Sequence, residues 1–159
     1  LLIFSILIIS CNKVTAPNDY QVNKEYYESG ELKRIVTYNN DNLNAEMTVY
    51  YKDGSLMGKA SMINEKFNGK AFGYHQNGNI AMTCNFVDDS FHGHAALYYD
   101  SGIIQYEGNY NMDIFEGKWI AYTLDGKIFA EYVFENGDLI TIDDDYRGDN
   151  NHGYNFNKK

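Results

Sequence analysis

Proline occurs once in this sequence, at Pro17, and cysteine twice, at Cys11 and Cys84. Two cysteines are too few for a disulfide scaffold. Basic residues are also scarce: 13 Lys and Arg stand against 22 Asp and Glu, a formal charge of −9 with histidine neutral. Nucleic acid and anionic lipid headgroups are disfavoured as partners, because both repel such a chain. Only one strongly apolar run is present, and there is no A/E/K/L/R-rich periodicity, which excludes a helical membrane protein and a coiled coil. A length of 159 residues leaves room for one domain or one array of short repeats, not for two full domains.

What the chain does have is 14 glycines and 15 tyrosines. Aromatic residues make up 16%, too many for a disordered chain. Tyr, Asn and Gly in this abundance point to β-strands joined by tight turns.

The apolar run is Leu1 to Ser10. Ten residues are too few to cross a bilayer core of ~30 Å, and the run looks like the apolar part of a secretion signal. Ile8-Ile9-Ser10-Cys11 resembles a bacterial lipoprotein cleavage box, with a small residue just before a cysteine. No Met and no basic segment precede Leu1. The resemblance implies residues 1–10 as a signal peptide, lipid on the Cys11 thiol, a polar tether over 11–24, and an exported, lipid-anchored protein of the cell envelope. Cys84 is then left alone and is expected to be a small buried apolar residue.

A repeat organises the rest. Gly30, Gly54, Gly78, Gly102 and Gly126 are spaced by 24 residues without a slip, each preceded by Ser29, Asp53, Asn77, Ser101 or Asp125. Four residues before each glycine stands Tyr26, Tyr50, Tyr74, Tyr98 or Tyr122. Two after it is Leu or Ile, and eight after it Tyr38, Met62, Phe86, Tyr110 or Phe134. Thirteen after it is Leu43, Phe67, Phe91, Phe115 or Leu139. Fifteen after it is Gly69, Gly93 or Gly117 in the middle repeats, but Ala45 and Thr141 at the ends. Degenerate end repeats are expected where one neighbour is missing.

The period predicts an all-β fold: one elongated antiparallel β-meander over about 20–142, with five repeats of two strands, ~11 strands and a length of ~50 Å. Reading the Xaa-Gly pairs as two-residue hairpins sets Leu32 opposite Tyr27 and Leu56 opposite Tyr51. Positions two, four, six and eight after the glycine then form an apolar face that includes Cys84. The tyrosines at minus four fall on the other face, across from Lys33, Met57, Ala81, Gln105 and Phe129. No helix is expected to cover either face. Residues 143–159 have too few apolar side chains to fold alone and read as a disordered polar tail.

The unit Tyr98-Tyr99-Asp100-Ser101-Gly102 through Phe115-Glu116-Gly117 to Tyr122 resembles the MORN-repeat variant family, over about 120 residues. Bacterial proteins of this type are often classed as antitoxin components of toxin–antitoxin modules (the YwqK type). Others are repeat lipoproteins. The resemblance implies a protein-binding role, with neutralisation of a toxin by stoichiometric masking as its most specific form. The alternative is a structural or adhesive envelope scaffold.

Charge is uneven along the array. Residues 71–142 hold ten acids against Lys118 and Lys127 alone. Such a surface suits a basic, toxin-like protein partner drawn in by long-range attraction. The residues expected to meet it are Tyr50, Tyr74, Tyr98 and Tyr122 with Asp88, Asp89, Glu107 and Asp113. The stretch from Asp88 to His94 places two histidines near carboxylates, but their repeat columns hold Asn, Glu and Lys, so they read as surface positions rather than metal ligands. Neither a nucleophile elbow nor a phosphate-cradling loop is found. The sequence predicts a protein that is not an enzyme and uses no cofactor or metal, with the lipid as its only membrane contact.

Overall fold

Turn residues recurring every 24 positions cut the chain into short aromatic-rich segments that lack the 3.6 period of a helix. The computed structural model describes residues 21–39 and 43–143, and among these every regular element is a strand. The strands are β1 Gln21–Tyr26, β2 Leu32–Tyr38, β3 Asn44–Tyr50, β4 Leu56–Ile63, β5 Lys66–Tyr74, β6 Ile80–Val87, β7 Ser90–Phe91, β8 Gly93–Tyr98, β9 Ile104–Asn111, β10 Ile114–Tyr122, β11 Ile128–Glu135 and β12 Asp138–Asp143. They form one antiparallel sheet in sequence order, with the short β7 paired to β6 beside β8. The all-β meander is therefore as the period requires. Residues 21–24 belong to β1 rather than to a tether. The signal segment 1–10, Cys11 and the tail beyond Asp143 lie outside the described residues.

The turns are the reverse of those expected. At each repeat glycine the loop has three residues, not two. Gly30 donates its N–H to the Tyr27 carbonyl at 2.9 Å, and Tyr27 donates to Glu31 at 2.9 Å. Only Gly30 has positive φ, +99°. That is a type I turn followed by a G1 bulge, and the bulge residue needs the left-handed conformation that glycine adopts without strain. The same pair of bonds recurs at Gly54, Gly78, Gly102 and Gly126. The two-residue turns lie at the other end of the strands. Asn64-Glu65, Asp88-Asp89, Met112-Asp113 and Asn136-Gly137 all have two positive φ angles, the type I′ geometry.

The longer loop changes the register. Tyr26 faces Leu32, Tyr50 faces Leu56, and the same holds in the next three repeats. Leu32 does not face Tyr27, nor Leu56 Tyr51. Lys33, Met57, Ala81, Gln105 and Phe129 are extra residues, since Glu25 pairs with Arg34 and Val49 with Gly58. A second irregularity follows the glycines fifteen residues on. Between the pairs Met62–Phe67 and Ala60–Ala71, β5 holds two residues more than β4, around Gly69 at φ +95°. The β9–β10 pairing has the same insertion around Gly117. Where Ala45 replaces that glycine, β2 and β3 pair without interruption. Bulges repeated in every unit increase local twist and curl the sheet.

Curling lets a single layer bury one face of itself. The buried set is Val36, Ala60, Ala71, Cys84, Ala95, Ala96, Tyr106, Trp119, Ala121, Ala130, Tyr132 and Phe134. All but Ala96, which lies on the opposite face, come from positions four, six and eight after, or five and seven before, a repeat glycine. Cys84 is 3% exposed, as its column predicts, and burial pushes its thiol up to about 11. Along one margin of this face six rings stack in sequence. Phe67, Phe86, Phe91, Tyr110, Phe115 and Phe134 have successive centroids 5.3, 4.6, 5.2, 5.0 and 5.0 Å apart. In the middle, Trp119 is 1% exposed and lies over Gly108, where a Cβ would overlap its ring. Its indole N–H donates to the Asn109 carbonyl at 3.0 Å.

Candidate protein-binding surface

The opposite face begins with the tyrosines. Tyr50, Tyr74, Tyr98 and Tyr122 are each half-buried, one strand position before the glycine turn. Their main-chain carbonyls are held by the preceding repeat. The hydroxyls of Tyr27, Tyr51 and Tyr99 donate to the carbonyls of Tyr50, Tyr74 and Tyr122 at 2.8, 2.8 and 2.9 Å. His75 Nε2 contacts the Tyr98 carbonyl at 2.9 Å. Sequence reading missed this column of donors three residues before the glycine. Its signal was present: Tyr27, Tyr51, His75, Tyr99 and Thr123 all carry a polar hydrogen.

The predicted acids do not gather in one patch. Asp88, Asp89 and Asp113 sit at the two-residue turns, up to roughly 30 Å along the strands from the tyrosines. Two of them hold repeats together. Asp89 accepts the Phe67 N–H at 2.7 Å while its own N–H donates to the Phe67 carbonyl at 3.0 Å. Asp113 and Phe91 make the same pair of bonds, at 2.7 and 2.9 Å. Asp88 is exposed.

Glu107 does lie with a tyrosine. Its Oε1 accepts the Tyr122 hydroxyl at 2.5 Å and its Oε2 is 3.4 Å from His94 Nε2. The phenol of Tyr122 is pushed up to about 12, first by that bond and then by burial and the charges of Glu107 and Glu131. Cross-strand pairing aligns Ala96, Glu107, Ile120 and Glu131 on this face. Lys118 reaches Glu131 at 2.5 Å, and Lys127 reaches Asp125 at 2.8 Å, which helps hold Asp125 down to about 2. Both cations of the acidic half are thus already paired. His92 and His94 are exposed, and among the described residues no three His, Cys, Asp or Glu side chains cluster as a metal site.

The structural unit is clear from these contacts. A strand, a glycine turn and a second strand span residues 43–64, 67–88, 91–112 and 115–136, each ending in a type I′ turn. No curated protein matches the chain. The family model described as MORN repeat variant matches residues 22–40, 67–88 and 91–112. The β1–β2 pair and two of these four units are therefore similar to that repeat.

Proposed function

We propose that the chain is a non-catalytic, lipid-anchored repeat protein of the cell envelope that binds another protein through the acidic half of its sheet. Repeats of the matched family generally serve to bind proteins or membranes. The observation that carries the reading is the unbalanced charge of that half. Residues 71–142 have ten acids and two lysines, and both lysines are already ion-paired, Lys118 with Glu131 in the sheet and Lys127 with Asp125 in a turn. A surface so charged attracts a basic partner and repels an acidic one. Stoichiometric masking of a basic toxin at the envelope is the most specific form of this reading.

The test is capture with the full chain carrying Cys11→Ser, immobilised and offered envelope and secreted proteins of the source cell. A single stoichiometric basic protein, released by salt, supports the reading. No partner at any salt concentration, or only copies of the chain, overturns it in favour of a scaffold.

A further inference from the structure

The tyrosine face carries a notch near its middle. It lies between β5, β6 and β8, has a volume of about 250 Å³ and opens to solvent on one side. The side chains lining it on this face are Lys70, Phe72, Thr83, Asn85 and His94. The sheet itself makes the gap. Thr83 pairs with Ala96, and the next pair is Phe86 with Phe91, so β6 advances three residues while the returning chain covers five. The surplus surrounds Gly93, at φ +80°. The notch is no by-product of the repeat. Twenty-four residues later, Phe72, Thr83 and His94 become Ala96, Glu107 and Lys118, and that lysine is paired with Glu131. Twenty-four residues earlier, Lys70, Phe72 and Asn85 become Glu46, Thr48 and Ser61.

The polar groups here are free to meet a ligand. Among the described residues Lys70 makes no ion pair and the Thr83 hydroxyl no hydrogen bond. Asn85 donates its Nδ2 to the His94 carbonyl at 3.3 Å, which leaves Oδ1 as an acceptor. His94 turns Nε2 toward Glu107 at 3.4 Å and keeps Nδ1. That mixture selects a ligand class. An anion needs donors alone; it would gain Lys70 but face Asn85 Oδ1. The cross-strand row flanks the notch with one charge of each sign, Lys59 beside Phe72 and Glu107 beside Ala96. A purely apolar ligand would cover Lys70 and Thr83 without a partner, which is costly. A sugar has hydroxyls that both donate and accept, and C–H groups that suit the negative face of an aromatic ring such as Phe72. Sites for drug-sized ligands run to about 300–1,000 Å³, so this smaller notch has room for a single ring. We propose that the notch around Phe72 binds one uncharged sugar ring, free or as a member of a glycan.

The probes are the methyl glycosides of glucose, galactose, mannose and N-acetylglucosamine. Each is titrated to tens of millimolar, at constant salt, into the full isotope-labelled chain carrying Cys11→Ser, with amide NMR signals as the readout. The expected result is that at least one shifts the signals of residues 70–72, 83–85 and 94 along one saturating curve, with a Kd in the millimolar range. Phe72→Ala should weaken it at least tenfold. So should Thr83→Glu, which carries the residue the next repeat has at that position and so keeps the fold. Disaccharides of glucose and of N-acetylglucosamine separate the two sources: binding tighter than the matching methyl glycoside marks a glycan, equal binding a free sugar, and both support the site. No saturating shift with any of the four glycosides overturns the inference. So do equal shifts with inorganic phosphate, which mark an anion site, and binding that survives both substitutions, which places the sugar elsewhere.

Discussion

Gly108→Ala tests how the core is packed. In the repeat column of Gly108 stand Val36, Ala60, Cys84 and Tyr132, so a side chain is ordinary there. Gly108 alone lies beneath an indole, and a Cβ would overlap Cγ, Cδ2 and Cε2 of Trp119. The ring is wedged by edge-on contacts with Tyr110 and Phe115, centroids 5.0 and 4.9 Å away, and by its bond to Asn109. Overpacking of this kind costs about 1–3 kcal/mol. Displacing the indole loses a hydrogen bond of about 1 kcal/mol and part of the edge contacts. Alanine returns about 0.5–1 kcal/mol by restricting the unfolded chain. The net expectation is destabilisation by about 3 kcal/mol, or a melting temperature about 10 °C lower. In a Trp119→Ala background the sign should reverse, because the pair then repeats the Ala60–Ala71 contact two units earlier. Urea unfolding followed by circular dichroism measures the four-variant cycle. A cost below about 0.5 kcal/mol with Trp119 present would refute the reasoning.

Tyr51→Phe removes the hydroxyl bond to the Tyr74 carbonyl and should cost about 1 kcal/mol in urea unfolding. Asp89→Ala should cost about 2 kcal/mol, from a lost charged acceptor for the Phe67 N–H and from the lower tolerance of alanine than of aspartate for φ +73°; Asp89→Asn should cost under about 0.5 kcal/mol, which a thermal melt resolves. Cys84 should resist a thiol reagent at pH 8 in the folded Cys11→Ser chain and react on unfolding. Its folded pKa of about 11 lies above the unfolded value of 9.0, so its contribution to stability is intact below pH 9 and falls as pH rises toward 11. Asp125 should titrate near 2 by NMR, and Lys127→Ala should move the midpoint up toward 3.8. Because the folded value is depressed, stabilisation from this group is present above pH 4 and lost as pH falls through 2.

The period, the strands, the apolar columns and the burial of Cys84 were legible in the sequence because each depends on side-chain type at fixed spacing. The turns were misassigned for a specific reason. Asx-Gly is the familiar signature of a type I′ hairpin, yet glycine serves equally as the left-handed residue closing a type I turn. The true I′ column is Asn64-Glu65, Asp88-Asp89, Met112-Asp113 and Asn136-Gly137. Only its last pair has the usual residues, and that pair was the clue. The bulge three residues after each glycine was invisible, since Lys33, Met57, Ala81, Gln105 and Phe129 share no chemistry. The acids of the predicted surface were chosen by charge alone. Sequence could not show that Asp89 and Asp113 bond to the backbone of the preceding repeat.

The central claim is that the acidic half binds a basic protein. Its most direct test compares capture by the Cys11→Ser chain with capture by the same chain carrying Glu107→Gln, Glu116→Gln and Glu131→Gln, at 50 and 300 mM salt. The account predicts one basic partner held by the parent at low salt, released at high salt, and captured at least tenfold less by the triple variant. A partner retained equally by both chains and at both salt concentrations would contradict it.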